Sequence, residues 1–295
     1  MYITKFHIPS GSAETSILSA EKRTCFNTIY PFHIFPKKGR TAFTFGNITI
    51  FYGGNGSGKT TLLNILCEKI EAIRHSEKND SAFFERYLDA CRISCTEFPE
   101  KSQFLSSDDV FDYVLNMRYL NKDIDNHREM MFKGYAMMQQ QCIKDPSVRL
   151  LHGLADYDRW KDVNDAMSPR VSQSKFVKER LAKNIDMYSN GETALRYFTD
   201  HIDSDSVYLL DEPENSLSIA YQLDLKKYIE DSARHFNCQF VISTHSPIFL
   251  SLAGALIYDL DSEGVPTRKW TDLENVRKYF EFFEGYREEF LKRGD

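Results

Sequence analysis

The chain is poor in the residues that build a metal or disulfide framework. It has six cysteines in 295 residues, and only Cys91 and Cys95 stand close together, as C-x₃-C. No second Cys/His pair at zinc-finger spacing accompanies them, so the cysteines read as free thiols in a reducing compartment. The chain also lacks an excess of positive charge. Its formal net charge of -6 argues against a strongly basic nucleic-acid coat, though not against a local basic groove. The first residues, MYITKFHI, show no basic segment followed by an apolar core, and so no secretory signal. Residues 239–258 contain no Asp, Glu, Lys or Arg. Ser243-Thr244-His245-Ser246-Pro247 interrupts that run, which reads as a buried strand, a polar loop and a helix start rather than a membrane span. The expectation is a cytoplasmic protein with no membrane insertion. No internal repeat, low-complexity tract or sustained heptad pattern is present.

With 42% hydrophobic and 27% charged residues, the composition is that of an ordinary globular α/β chain with a sizeable core. Residues 1–52 read as strand-rich with intervening turns, and residues 59–77 as a helix. Residues 82–104 read as a helix followed by a short strand near Arg92–Cys95. Residues 106–188 read as polar and mostly helical, with Ser106 or Ser107 capping a helix that carries Asp108 and Asp109 in its first turn. From residue 192 the α/β pattern returns. Leu195, Phe198 and Ile202 make one helix face, Val207–Leu210 a buried strand, Leu223, Tyr228 and Ile229 a helix, and Phe240–Ile242 another strand. Tyr279, Phe283, Tyr286 and Phe290 recur at helical spacing and read as core or as a docked helix.

Against these absences stands one complete motif. Residues 53–60, Gly-Gly-Asn-Gly-Ser-Gly-Lys-Thr, form a G-x-x-x-x-G-K-[ST] phosphate loop. A β-rich run, Ile48–Tyr52, precedes it, and Thr61–Leu66 opens a helix after it. Gly53, Asn55, Gly56, Ser57, Gly58, Thr60 and Thr61 surround a phosphate site built from backbone N–H groups at a helix N-terminus. Lys59 brings a cation to the β- and γ-phosphates, and Thr60 a hydroxyl to Mg²⁺.

Three further segments carry chemistry. Val207–Leu210 ends in Asp211-Glu212-Pro213, two acids at the mouth of an apolar strand. Beside a phosphate loop, Asp211 orients Mg²⁺ and its waters, and Glu212 can take a proton from an attacking water. Phe240–Ile242 ends in Ser-Thr-His, which places His245 where it could polarise the γ-phosphate or that water; a satisfied structural histidine is the bland alternative. Tyr188-Ser189-Asn190-Gly191-Glu192 reads locally as a capping box, with Ser189 as the cap and Glu192 returning the bond. The same helix N-terminus can also bind a phosphate.

In this order the four motifs resemble the ATP-binding-cassette (ABC) ATPase family. The resemblance implies a P-loop α/β ATPase head with a strand-rich N-terminal part and a helical insert between phosphate loop and signature motif. It implies ATP and Mg²⁺ as ligands, and a head-to-tail homodimer that sandwiches ATP. Ser189, Gly191 and Glu192 would then face the ATP bound by the partner subunit. Glu212 would be the general base, His245 the switch histidine, and Gln103 a Mg²⁺-sensing residue beside Thr60 and Asp211. The expected division of this one ATPase domain is 1–105, 106–190 and 191–295. Asp211–Ser218, Tyr30-Pro31-Phe32 and Leu256-Ile257-Tyr258 look closer to the chromosome-maintenance, break-repair and small bacterial AAA-type ATPases found beside repair or phage-defence genes. The departures are Asn190, Glu192 and Ser218, the last standing where many relatives carry Asp.

The leading expectation is a soluble ATPase whose ATP-driven closure acts on a partner effector protein or on nucleic acid. The alternatives are the nucleotide-binding subunit of a membrane transporter and a nucleotide-gated module with little turnover. Arg170, Lys175, Lys178, Arg180 and Lys183 are candidate nucleic-acid or partner contacts, with a solvated helix face as the alternative. Guanine specificity is disfavoured, because Asn121-Lys122-Asp123-Ile124 has Ile124 where N-K-x-D needs an acid.

Overall fold

The computed structural model describes residues 1–295 apart from 23–24, 98, 100, 151–153, 186–188 and 292–295. In chain order the elements begin with β1 (Ile3–His7), α1 (Gly11–Ser19), β2 (Ala42–Thr44), β3 (Ile48–Tyr52), α2 (Lys59–Lys69), α3 (Phe84–Ala90), β4 (Arg92–Cys95) and β5 (Lys101–Ser106). They continue with α4 (Ser107–Lys144), α5 (Tyr157–Met167), α6 (Gln173–Arg180), α7 (Asn190–His201), β6 (Ser206–Asp211) and α8 (Ile219–His235). The last are β7 (Gln239–Thr244), α9 (Pro247–Leu250), β8 (Leu256–Asp259), β9 (Thr267–Arg268), α10 (Glu274–Gly285) and α11 (Arg287–Leu291). The chain forms two compact units, Met1–Phe111 with Ser189–Asp295, and Asp112–Tyr188.

The first unit is a mixed α/β P-loop head. Its main sheet has the order β5-β6-β7-β3-β8-β9, parallel except for the edge strand β9. A smaller antiparallel sheet, β2-β1-β4, lies in the same unit. Every residue of β3 is buried, as expected of a strand hydrogen-bonded on both sides and covered on both faces. Gln239 joins the two sheets. Its Oε1 accepts from Tyr2 N and Ile3 N at 2.9 and 2.7 Å, and its Nε2 donates to Ile3 O and Gly46 O at 2.8 and 2.9 Å. The parallel order aligns the carboxyl ends of β3, β6 and β7, the edge where open α/β sheets bind ligands.

Several local expectations are corrected. Residues 1–52 hold a helix as well as strands. In α1 the Ser10 hydroxyl caps Ala13 N at 3.3 Å, and Thr15 and Ser16 hydroxyls bond back to carbonyls four residues earlier. Those hydroxyl-rich residues resemble turn composition and hid the helix. The helix after the phosphate loop ends at Lys69 rather than near residue 77, because Glu71 turns to φ 52. The chain then runs along the edge of β5, with Ile73 N donating to Ser102 O and Phe104 N to Ile73 O, each at 2.8 Å. The buried face of α8 is Leu225, Ile229 and Ser232, whereas Leu223 is exposed. The aromatic stripe near the end is also exposed rather than core: Tyr279, Phe283, Tyr286 and Phe290 keep 51%, 51%, 47% and 64% of their surface open. The helical spacing is real, but α10 buries only Val276.

The second unit packs Tyr135, Ala166, Phe176 and Val177 into a small core of its own. Arg180 serves that core. Its guanidinium lies 2.8 Å from Asp162 and 2.6 Å from Asp165, and 3.9 Å from the Phe176 ring centroid. Arg180 therefore drops out of the candidate nucleic-acid or partner contacts, because its charge is paired within this unit.

Candidate functional site

The phosphate loop joins the carboxyl end of β3 to the first turn of α2. Gly58 sits at φ 96, and a Cβ there would meet Ile34 Cγ2 and Phe35 Cε1 at 3.0 Å. Only glycine fits both the backbone and the packing. A cavity of about 390 Å³ opens over the loop, lined by Ile34, Asn55, Gly56, Ser57, Gly58, Lys59, Thr60, Thr61 and Glu212. The Tyr30 hydroxyl donates to Thr61 Oγ1, a lining residue, at 3.3 Å.

Inside the cavity the polar groups are tightly arranged. Lys59 is buried; its Nζ donates to Gly53 O at 2.8 Å and Gly54 O at 3.1 Å, and lies 3.1 Å from Glu212 Oε1. Thr60 Oγ1 donates to Asp211 Oδ1 at 3.2 Å, and Ser243 Oγ donates to the same oxygen. Glu212 has φ 46, an uncommon conformation for a non-glycine residue. Its N–H reaches Ser243 O at 3.0 Å and Ser243 Oγ at 3.1 Å, and its Oε2 accepts from Asn215 Nδ2 at 3.0 Å.

The two acids are driven apart electrostatically. Burial pushes the Asp211 carboxyl up, against the hydrogen bonds from Ser243 and Thr60. Burial also pushes Glu212 up. Lys59, by hydrogen bond and charge, together with Asn215 and His245, outweighs it and holds Glu212 below the usual carboxylate range.

The residues fit a nucleotide phosphate. Ser57 Oγ is buried and has no hydrogen-bond partner among the described residues, and it lines the cavity beside the N-terminus of α2. They also fit Mg²⁺, with the Thr60 hydroxyl and Asp211 carboxylate as a pair of hard oxygen donors. Among the described residues no group of three or more His, Cys, Asp or Glu could hold a metal ion.

His245 follows directly after β7. It lies close enough to Glu212 to help lower that carboxyl, and its own surroundings are ordered by Glu214. The sequence reading gave Glu214 no separate role. It is buried, and its Oε1 accepts from Thr244 Oγ1, His245 N and Ser246 N at 2.6, 2.8 and 3.3 Å. The signal was available: an acid placed two residues after Glu212, within a run of motif residues, has to be either solvated or satisfied. Ser243, which contacts both acids, was likewise read only as part of the Ser-Thr-His run.

Gln103 is not brought to the site. In the parallel register Gln103 pairs with Tyr208, whereas Ser106 pairs with Asp211. Gln103 is thus three residues, ~10 Å, short of the level of Asp211. By strand alternation it also points to the opposite face from Asp211. Ser106 stands at the tip instead and caps α4. Its Oγ accepts from Asp109 N at 3.1 Å, and its N–H donates to Asp109 Oδ2 at 2.7 Å.

The signature residues stand at the start of α7. Ser189 caps the helix, accepting from Glu192 N at 3.3 Å, and the Glu192 carboxylate lies 3.3 Å from Arg196. Tyr188, which opens the segment, lies outside the described residues. Gly191 has a local reason to be glycine: a Cβ there would meet Tyr221 Cδ2 at 2.8 Å. Gly191→Ala is expected to push the Tyr221 ring aside and cost about 1 kcal/mol of stability, read by thermal denaturation. An unchanged melting temperature with lost hydrolysis would show that the glycine serves the nucleotide rather than Tyr221.

A family model described as ABC transporter matches residues 40–215, more than half of the chain. The chain belongs to the ABC transporter family of ATP-binding proteins. Petrobactin import ATP-binding protein YclP of Bacillus subtilis (strain 168) is 26% identical over 208 residues, spanning 70% of this chain and 69% of its own length. Tungstate uptake system ATP-binding protein TupC of Campylobacter jejuni is 24% identical over 254 residues, spanning 80% of this chain and 64% of its own. Among solved structures, the Pyrococcus furiosus Smc head domain bound to the C-terminal domain of ScpA aligns over 97% of this chain and 99% of that one, at 13% identity and TM-score 0.37. A metal-chelate type ABC transporter in an inward-facing conformation aligns over 96% and 90%, at 15% identity and TM-score 0.39. Family membership makes the chain an ATP-binding protein and implies ATP hydrolysis. Among the described residues no helix is long and apolar enough to cross a membrane.

Proposed function

We propose that this protein is a Mg²⁺-dependent ATPase that closes on ATP as a head-to-tail dimer and uses that closure to act on a partner protein, in a repair or phage-defence setting. The observation that carries the reading is the constellation at one sheet edge, with Lys59 at 3.1 Å from Glu212 and Thr60 at 3.2 Å from Asp211. Lys59 and the N-terminus of α2 bind the phosphates. Thr60 and Asp211 would hold Mg²⁺, which when bound would supply positive charge beside the phosphate oxygens. Phosphate competes with Glu212 for Lys59. As Lys59 turns to phosphate, Glu212 loses its main counter-charge and becomes the stronger base for an attacking water. Ser189 and Gly191 of one subunit complete the site of the other.

A second reading is the ATP-binding subunit of an importer, favoured by the similarity to ATP-binding proteins of petrobactin import and tungstate uptake. The co-purified partner separates the two, since a multi-span membrane protein supports import. The sandwich itself is tested by Ser189→Arg. This variant is expected to bind ATP like the wild type, yet to stay monomeric and hydrolyse at least tenfold more slowly. Wild-type turnover would rule out a trans contact at Ser189.

A further inference from the structure

We propose that Glu214 is a positioning residue for His245, holding the imidazole with its proton on Nδ1 and leaving Nε2 to act at the nucleotide. The inference rests on the reading of His245 given above. Glu214 sits in a short 3₁₀ turn, Pro213–Ser216, directly after Glu212. One of its oxygens, Oε1, gathers the Thr244 hydroxyl and the N–H groups of His245 and Ser246, and lies 3.3 Å from His245 Nδ1. A carboxylate this buried persists only where donors replace its water. Here the donors come from a single stretch, Thr244–Ser246, the stretch that carries the histidine.

The same stretch is tied down on its other side. Ser246 Oγ donates to Gln222 Oε1 at 2.7 Å, and Gln222 Nε2 donates to Leu217 O at 3.1 Å. The acid run after β6 and the histidine stretch after β7 therefore form one hydrogen-bonded piece. The imidazole itself remains 44% exposed, so its backbone is fixed while the ring stays open to a ligand. An acid that sets the tautomer and direction of a histidine through Nδ1 acts on the reaction without touching the substrate.

The test is a double-mutant cycle in the full-length chain, with ATP turnover and thermal melting measured on each variant. Glu214→Gln is expected to lower kcat about tenfold with KM for ATP unchanged, because it keeps an acceptor for the backbone N–H groups but removes the charge facing Nδ1. In the His245→Ala background the same substitution is expected to have no further effect on kcat. An equal loss in both backgrounds would overturn the proposal and leave Glu214 a structural anchor. Wild-type turnover by Glu214→Gln would overturn it as well. If His245→Ala alone turns over normally, it is the reading of His245 that fails. Should Glu214→Gln not fold, ¹⁵N spectra of the wild-type imidazole decide the point: a proton on Nδ1 is expected, and a neutral ring protonated on Nε2 overturns the proposal.

Discussion

Lys59→Ala is expected to abolish ATP binding, with affinity falling at least about 100-fold, or about 2.8 kcal/mol at 1.4 kcal/mol per decade. The side chain is buried and reaches the cavity from the first residue of α2, so no neighbouring cation stands ready to replace it among the residues lining the cavity. Its removal also frees Gly53 O and Gly54 O and leaves Glu212 without its main counter-charge. The structural cost has a pH signature. Lys59 holds Glu212 below the usual carboxylate range, so the pair stabilises the fold above that range and the contribution disappears as Glu212 protonates. The melting-temperature gap between wild type and variant should therefore narrow as pH falls below about 4. Calorimetric titration at neutral pH, on protein shown to be folded, reads the binding loss directly. An affinity equal to the wild type would remove residues 53–60 from the phosphate site.

The elements that hold this lysine were legible in the sequence because each carried a local pattern. A buried apolar strand followed by a glycine loop and a helix start is read within about fifteen residues. Asp211 and Glu212 were legible for the same reason, as acids at the end of a continuous apolar run. What escaped was information held between strands. Gln103 looked acceptable in isolation, and only the pairing of Ser106 with Asp211 shows that the chain reaches the level of Asp211 three residues later. Register depends on both strands at once, and no single stretch states it. Glu214 escaped similarly, since its partners Thr244–Ser246 lie some thirty residues away in the chain. The exposed stripe on α10 shows the converse limit. Periodicity reports that Tyr279, Phe283 and Tyr286 share a face, but not whether anything covers it.

Glu212→Gln is expected to slow hydrolysis by 100-fold or more, about 2.7 kcal/mol of barrier, while leaving ATP binding intact. The substitution keeps the shape of the side chain and an acceptor for Asn215 Nδ2, and it removes the only feature that hydrolysis needs from it, the capacity to take a proton. The left-handed backbone at Glu212 is held by two bonds from its N–H to Ser243, which the substitution does not touch, so the local strain should persist. Loss of the carboxylate charge would also release Lys59 from its ion pair, which favours phosphate binding. Slow turnover with retained binding should trap the closed form, so size-exclusion chromatography with ATP and Mg²⁺ is expected to show a dimer that the wild type forms only transiently. The two readouts fail separately. Normal turnover would remove Glu212 as the base, and slow turnover in a protein that remains monomeric with ATP would retain the base but reject the ATP-sandwiched dimer. The dimer is also expected to disperse when Ser189→Arg is added to Glu212→Gln, since the trapped nucleotide would then lose its contact with the second subunit.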